Sequence, residues 1–129
     1  MSDNLADTMP FSKLMGVRIT EAGKAQVTGE LTVRADLCTA GGSMHGGAIM
    51  AFADALGAVG AFLNLPEAAN GTTTVESKTN FLGPASEGDI VKAVATPVSV
   101  GRRLSVWQTQ LTRSDGKAVA LVTQTQMVL

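Results

Sequence analysis

Hydrophobic and polar positions alternate along most of this chain, and the places where the alternation stops mark its elements. "PFSKLM", Pro10 to Met15, has the make-up of a short helical turn, which Gly16 closes. In "VRITEAGKAQVTGELTV" the period becomes two: Val17 and Ile19, then Val27, Gly29, Leu31 and Val33, share faces as half-buried strands do. The "EAGK" between the two arms reads as a hairpin turn. After a loop of small residues, "RADLCTAGGSM", comes the apolar run Gly46 to Leu63, which is longer than an ordinary strand and whose Ala, Leu and Met favour helix. Four alternating segments rich in Val, Thr and Leu complete the chain: "GTTTVESKTNFL", "GDIVKAVATPVSV", "RRLSVWQTQLTR" and "KAVALVTQTQMVL". "GPASEG", Gly101 and "SDGK" separate them, and the pattern predicts mostly hairpin connections. A helix without a wide polar face is buried on most sides, so the strands must wrap it. The expected fold is α+β, an antiparallel sheet curled round one long central helix.

Length and composition narrow the picture. With 129 residues and 45% hydrophobic content, the chain is expected to form one domain over 1–129, with about residues 1–9 as the only stretch expected to be flexible. Ten basic residues against eleven acidic ones leave no basic field for nucleic acid. Cys38 is the only cysteine, which excludes an internal disulfide framework and a cysteine-based zinc site, and a single histidine makes a poor metal set. "MSDNLADTMPF" does not read as a secretory signal, so a reducing cytoplasm is the expected location. Gly46 to Leu63 approaches the length of a membrane span, but Asp54 near its centre would cost about 2.5–3.5 kcal/mol there. No membrane partner is expected.

That same aspartate is the first candidate for chemistry, because a carboxylate in apolar company is costly unless it is paired or hydrogen-bonded. His45-Gly46-Gly47 stands where the helix should begin. The first N–H groups of a helix lack internal partners and favour an oxygen bearing negative charge, so this is a candidate oxyanion site. His45 alone reads first as a capping or loop residue rather than a catalyst, and the two glycines also read as aids to close packing. Asp54 lies eight residues beyond Gly46, about 12 Å along the same helix, too far to attack a carbonyl held at that helix's own N-terminus. Two subunits with antiparallel central helices would bring the two features together, if they form one site. Among Thr72, Thr73 and Thr74, one hydroxyl can orient the carboxylate or a water. Trp107 reads as core.

These residues carry a resemblance. "HGGAIMAFADALG" resembles the helix signature of hotdog-fold acyl-CoA thioesterases of the PaaI-like group, named for phenylacetic acid degradation. The likeness extends through "PFSKLMGVRITEAGKAQVTGEL", "TNFLGPASEGD", "VGRRLSVWQTQL" and "SDGKAVALVTQT". It implies a hotdog fold, homodimers often paired again into tetramers, and hydrolysis of acyl-CoA to free acid and CoA. It also implies roles: the Gly46 N–H polarises the thioester carbonyl, and Asp54 of the other subunit acts as nucleophile or general base. Thr74 matches a Ser or Thr that places water, and His45 matches an orienting histidine. Gly47, Thr39 and Thr73 are further candidates for substrate contact. Some relatives carry Asn where this chain has Thr39. No cofactor is implied beyond the coenzyme A carried by the substrate.

Thioester hydrolysis requires a donor aimed at the developing oxyanion and a base or nucleophile at the carbonyl carbon. CoA also brings phosphates, for which the adjacent pair Arg102 and Arg103 is the candidate; on a strand, only one of the two would face the ligand. Two rival readings stand beside this one. One is a hotdog dehydratase or hydratase; the other is a non-catalytic acyl-CoA-binding module in which Asp54 is merely structural.

Overall fold

The computed structural model describes residues 4–129. Its backbone follows the order read from the periodicity. Helix α1 (Pro10–Met15) starts on a proline and stops at Gly16, whose φ of 85° places it in the left-handed region that glycine tolerates. Strands β1 (Arg18–Ala22) and β2 (Val27–Thr32) form the expected hairpin, closed by Gly23 N–H donating to Gln26 O at 2.9 Å. Helix α2 (Gly46–Leu63) is followed by β3 (Thr72–Phe81), β4 (Ile90–Val100), β5 (Leu104–Arg113) and β6 (Ala118–Val128).

The six strands form one antiparallel sheet in the order β1-β2-β4-β5-β6-β3. The β4–β5 and β5–β6 links are hairpins. The β3–β4 link is not: "GPASEG" carries the chain from the β3 edge back to β4 beside β2, where Met44 N–H donates to Ala85 O at 2.7 Å. At the β5–β6 turn, Gly116 at φ 85° and Asp115 close the hairpin, and Arg113 reaches both Asp115 and Pro84 O.

The sheet wraps α2. Ile49, Phe52, Ala53, Leu56 and Val59 are buried against Val27, Leu31, Val91, Trp107, Leu111 and Val122. Burying each large apolar side chain contributes about 1.5–3 kcal/mol, which is why the helix sits in the sheet rather than beside it. Two helix glycines are needed for the close approach. A Cβ on Gly57 would lie 2.3 Å from the Gln124 amide, and one on Gly60 would lie 2.5 Å from the Trp107 ring. The helix is long and apolar enough to cross a membrane, but half of it is buried by its own sheet.

One stripe of α2 stays partly open: Gly47, Ala51, Asp54, Ala58 and Phe62, all apolar except the aspartate. The two sheet edges also differ. β1 has five residues, a register shift between Ile19 and Glu21, and an Arg18–Glu30 ion pair at 2.6 Å; β3 has ten residues.

Of the stretch expected to be flexible, residues 1–3 lie outside the described residues. Leu5–Thr8 forms a 3-10 turn with Ala6 buried, and the Asn4 side chain caps it while donating to Val17 O at 2.7 Å and accepting from Ile19 N–H at 2.9 Å. Arg34 secures α1 by donating to Met15 O and Leu14 O at 2.6 and 3.1 Å.

Candidate active site

At the start of α2 the backbone supplies the donors. His45 is the N-cap, its Nδ1 accepting from Gly47 N–H at 2.8 Å, which in neutral imidazole leaves the proton on Nε2. Ala48 and Ile49 N–H donate to His45 O. Gly46 N–H donates to no group among the described residues, so the cap leaves this donor available at the positive end of the helix dipole. Gly46 also lacks a Cβ where the Phe81 ring closes over it; a methyl there would stand 3.1 Å from that ring.

Two turns further on, Asp54 is half-buried and faces the strands at the β3 edge. Thr74 Oγ1 donates to Asp54 Oδ1 at 2.6 Å, and Gln124 Nε2 donates to the same oxygen at 3.3 Å. Behind Thr74 stands a second buried amide: Gln126 Nε2 donates to Thr74 Oγ1 at 2.6 Å, while Gln126 Oε1 accepts from Thr72 Oγ1 at 3.0 Å. Every bond in this chain runs toward the carboxylate. Among the described residues, hydrogen bonds reach Oδ1 only.

The structure thus brings Asp54 and Thr74 together and keeps Gly46 and His45 at the far, N-terminal end of the same helix. Other candidates fall elsewhere. Thr73 lies on the outer face of β3, exposed and turned away from α2. Thr39 sits in the loop before α2, where its hydroxyl accepts from Gly41 N–H at 3.3 Å. Gly47 N–H is taken by the His45 cap. Arg102 and Arg103 are not strand residues as expected: both occupy the exposed β4–β5 turn, which Gly101 N–H closes onto Leu104 O at 2.8 Å. The reason is steric, since reversing an antiparallel pair this tightly removes the residues between Val100 and Leu104 from the ladder. With Pro66 and Val128 they line a hollow of about 400 Å³ beyond the C-terminal end of α2, remote from Gly46 of the same chain.

Gln124 and Gln126 were not anticipated. Their signal was present in "VTQTQMV": a period of two puts both amides on the face of Ala120 and Val122, which is the core face.

Two grooves flank the helix. One, of about 400 Å³, opens one turn beyond Asp54 and is almost wholly apolar, lined by Leu5, Met9, Ala58, Val59, Phe62 and Leu63 and bordered by Thr72. The other, of about 360 Å³, lies beside His45 and Gly47 under Phe11 and Leu14.

A helix cradled by one antiparallel sheet, with a free backbone donor at its tip and a tethered carboxylate at its middle, defines a class, and comparison with known proteins gives the same one. The profile of the thioesterase superfamily matches residues 41–120. The chain belongs to that superfamily, and thioester hydrolysis is the chemistry of its class. A Mycobacterium tuberculosis protein, Rv1847, named as a candidate esterase, is 30% identical over 115 residues, 88% of this chain and 81% of that one. Its solved structure matches with a TM-score of 0.89 over 94% of this chain and 97% of that chain, at 27% identity. Within the class the chain is PaaI-like. The phenylacetic acid degradation protein PaaI of Thermus thermophilus, solved as a point mutant, matches with a TM-score of 0.85 at 27% identity, covering 93% and 99% of the two chains. A relative from Arabidopsis thaliana, 1,4-dihydroxy-2-naphthoyl-CoA thioesterase 2, is 31% identical over 99 residues, 77% of this chain and 62% of that one.

Proposed function

We propose that the protein hydrolyses an aryl- or medium-chain acyl-CoA to the free acid and CoA, at a site shared between two copies of the chain. The observation that carries this reading is the division of labour along α2: a free N–H at Gly46 and a tethered carboxylate at Asp54, about 12 Å apart. One helix cannot offer both to one carbonyl. The β3 edge supports a way to join them. Thr74, near one end of β3, holds Asp54, and Phe81, at the other end, covers Gly46. If two β3 strands pair antiparallel about a two-fold axis near Ser77 and Lys78, Thr74 falls opposite the partner's Phe81. Asp54 then approaches the partner's Gly46, and the open apolar stripe of each α2 is covered.

In such a site the carbonyl oxygen of the thioester accepts from Gly46 N–H, which stabilises the tetrahedral oxyanion, and His45 holds the first turn by accepting from Gly47 N–H. Asp54 either takes the proton from the attacking water or attacks the carbonyl carbon itself. Collapse of the adduct breaks the carbon–sulfur bond and releases the CoA thiolate, which takes up a proton. With water as the attacking group the free acid forms directly, whereas attack by Asp54 leaves an acyl anhydride on its carboxylate that a water then hydrolyses to free the acid and restore Asp54. The apolar groove beyond Asp54 suits an aryl or medium aliphatic acyl group, and the name of the Arabidopsis relative, an aryl-CoA thioesterase, supports that class. Arg102 and Arg103, at the C-terminal end of α2, are the candidates for CoA phosphates. Water, one carboxylate and backbone donors suffice, so the reading includes no resident cofactor.

The test is thiol release from a panel of aryl and aliphatic acyl-CoAs by wild type and Asp54→Asn, with oligomeric state measured by size. Wild type is expected to release CoA, and the variant to lose at least about 100-fold in kcat while staying folded and oligomeric, the order of loss seen when a group acting in the transition state is removed. Tight binding without thiol release would instead favour the acyl-CoA-binding module, and hydration of an enoyl thioester without release would favour the hydratase.

A further inference from the structure

The amide of Gln124 sits in a place where an apolar side chain would be easier to accommodate. The residue is fully buried, its neighbours on the core face of β6 are Val122 and Gln126, and its Oε1 has no partner among the described residues. A buried polar atom without a partner is destabilising, and the few that persist call for a reason. The helix bears a cost too. Gly57 stands mid-helix because a Cβ there would lie 2.3–2.5 Å from Cδ, Oε1 and Nε2 of Gln124, although glycine is a poor helix former. Both concessions serve one contact, Gln124 Nε2 donating to Asp54 Oδ1 at 3.3 Å.

From this we infer that Gln124 is a positioning residue for Asp54, acting with Thr74 to fix Oδ1 so that Oδ2 is the oxygen that meets water or the thioester carbon. The inference rests on the reading that Asp54 performs the chemistry. The direction of each bond is determined by its neighbour. Thr74 Oγ1 accepts from Gln126 Nε2 at 2.6 Å, so its single proton goes to Asp54. The Thr72 hydroxyl has both Gln126 Oε1 and Met127 O within reach, at 3.0 and 3.1 Å, so it is the Thr74 oxygen, with its own proton committed to Asp54, that draws the Gln126 nitrogen toward it. Turning the Gln124 amide over would set Oε1 against the carboxylate, a repulsive contact, so the carboxylate holds Nε2 in place. Two donors on one oxygen fix the rotation of the carboxyl group and leave the other oxygen without a hydrogen bond among the described residues. Holding a reacting atom in its productive geometry removes part of the entropic barrier to reaction, and small misplacements are costly in rate.

The experiment compares wild type, Asp54→Asn, Gln124→Met and the double variant on the acyl-CoA that wild type hydrolyses fastest. Methionine matches glutamine in length but donates nothing. Gln124→Met is expected to lower kcat about 10- to 100-fold with KM changed less than threefold, while melting temperature and oligomeric size stay near wild type. In the Asp54→Asn background the same change is expected to cost less than threefold more, because there is no carboxylate left to position. Unchanged kcat in Gln124→Met, or an equal loss in both backgrounds, overturns the inference while leaving the thioesterase reading intact. Unchanged kcat in Asp54→Asn, or no thiol release from wild type, overturns both. Where Gln124→Met fails to fold, Gln124→Glu keeps the shape and places a second carboxylate beside the first; its kcat must fall at least as far, and wild-type kcat in that variant overturns the inference.

Discussion

Gly57 and Gly60 lie on the same buried face of α2, one turn apart, and each receives one large side chain from the sheet. At Gly60 the guest is the Trp107 ring, whose indole N–H is satisfied by Ser105 Oγ at 3.0 Å. At Gly57 the guest is the Gln124 amide, which is only half satisfied and directs its one bond to Asp54. The geometry of the two contacts is nearly the same, but the chemistry is not. The indole fills space and stabilises the fold by burying apolar surface, with its polar edge matched locally. The amide is a poorer filler that reaches the one carboxylate on the helix. Close helix-to-sheet packing thus serves stability at one turn and the candidate site at the next, and the two roles can be separated by experiment.

The largest effect is expected at the aromatic guest. Trp107→Ala should lower stability by about 3–5 kcal/mol, the range for emptying a buried aromatic position, measured by urea denaturation. A loss below about 1 kcal/mol would show that the ring is not the anchor the comparison makes it. Next come the glycines themselves. Gly57→Ala and Gly60→Ala each force a methyl into occupied space and should each cost about 1–3 kcal/mol by overpacking. They should differ in turnover: Gly60→Ala keeps kcat within about threefold, whereas Gly57→Ala displaces the amide and lowers kcat at least about tenfold. Equal kcat in the two variants would break the comparison.

The smallest effect serves as a reference far from both turns. At the β5–β6 hairpin, the Arg113 guanidinium beside Asp115 holds its carboxyl below the ordinary aspartate value of 3.8, helped by the N–H of Lys117. A depressed native pKa means the unfolded chain takes up the proton first as pH falls. The contribution of Asp115 is therefore full above the ordinary value and fades as pH drops below it through the native one. Asp115→Asn should show a slightly lower urea midpoint at pH 7, a difference that begins to narrow below about pH 4 and vanishes at still lower pH, with kcat unchanged. A difference that persists in acid would assign the effect to the turn's backbone geometry rather than to charge.

The element order was legible because each segment has its own period: the strands alternate, and the run from Gly46 to Leu63 does not. Sheet order was less legible. That β3 lies at an edge beside β6, and not in a hairpin with β4, depends on pairings between distant segments that local pattern does not encode. In the candidate site, the contact between Asp54 and a threonine hydroxyl was foreseen, and alternation along β3 selects Thr74 over Thr73 for the inner face. The arginine pair was placed on a strand because its neighbours alternate, whereas the turn claims both residues. Gln124 and Gln126 are hard to read because glutamine in a strand ordinarily marks the wet face, and only strict counting of the period puts them inside. His45 shows a different limit: the same position reads as cap or as catalyst, and the structure adds the bond to Gly47 that makes it a cap.

The unequal edges of the sheet bear on stoichiometry. A protein with two long, open edges can add a neighbour on each side, and head-to-tail addition of that kind has no natural end; it gives ribbons and filaments. Here β1 is short, broken in register and flanked by charge, while β3 offers a ten-residue strand. If β3 pairs with its counterpart as proposed, there is one adhesive edge per chain, and strand addition is a reaction that a second copy completes and a third cannot continue. On that proposal the short, interrupted first strand is a chain terminator, a built-in stop to polymerisation of a sheet-forming sequence.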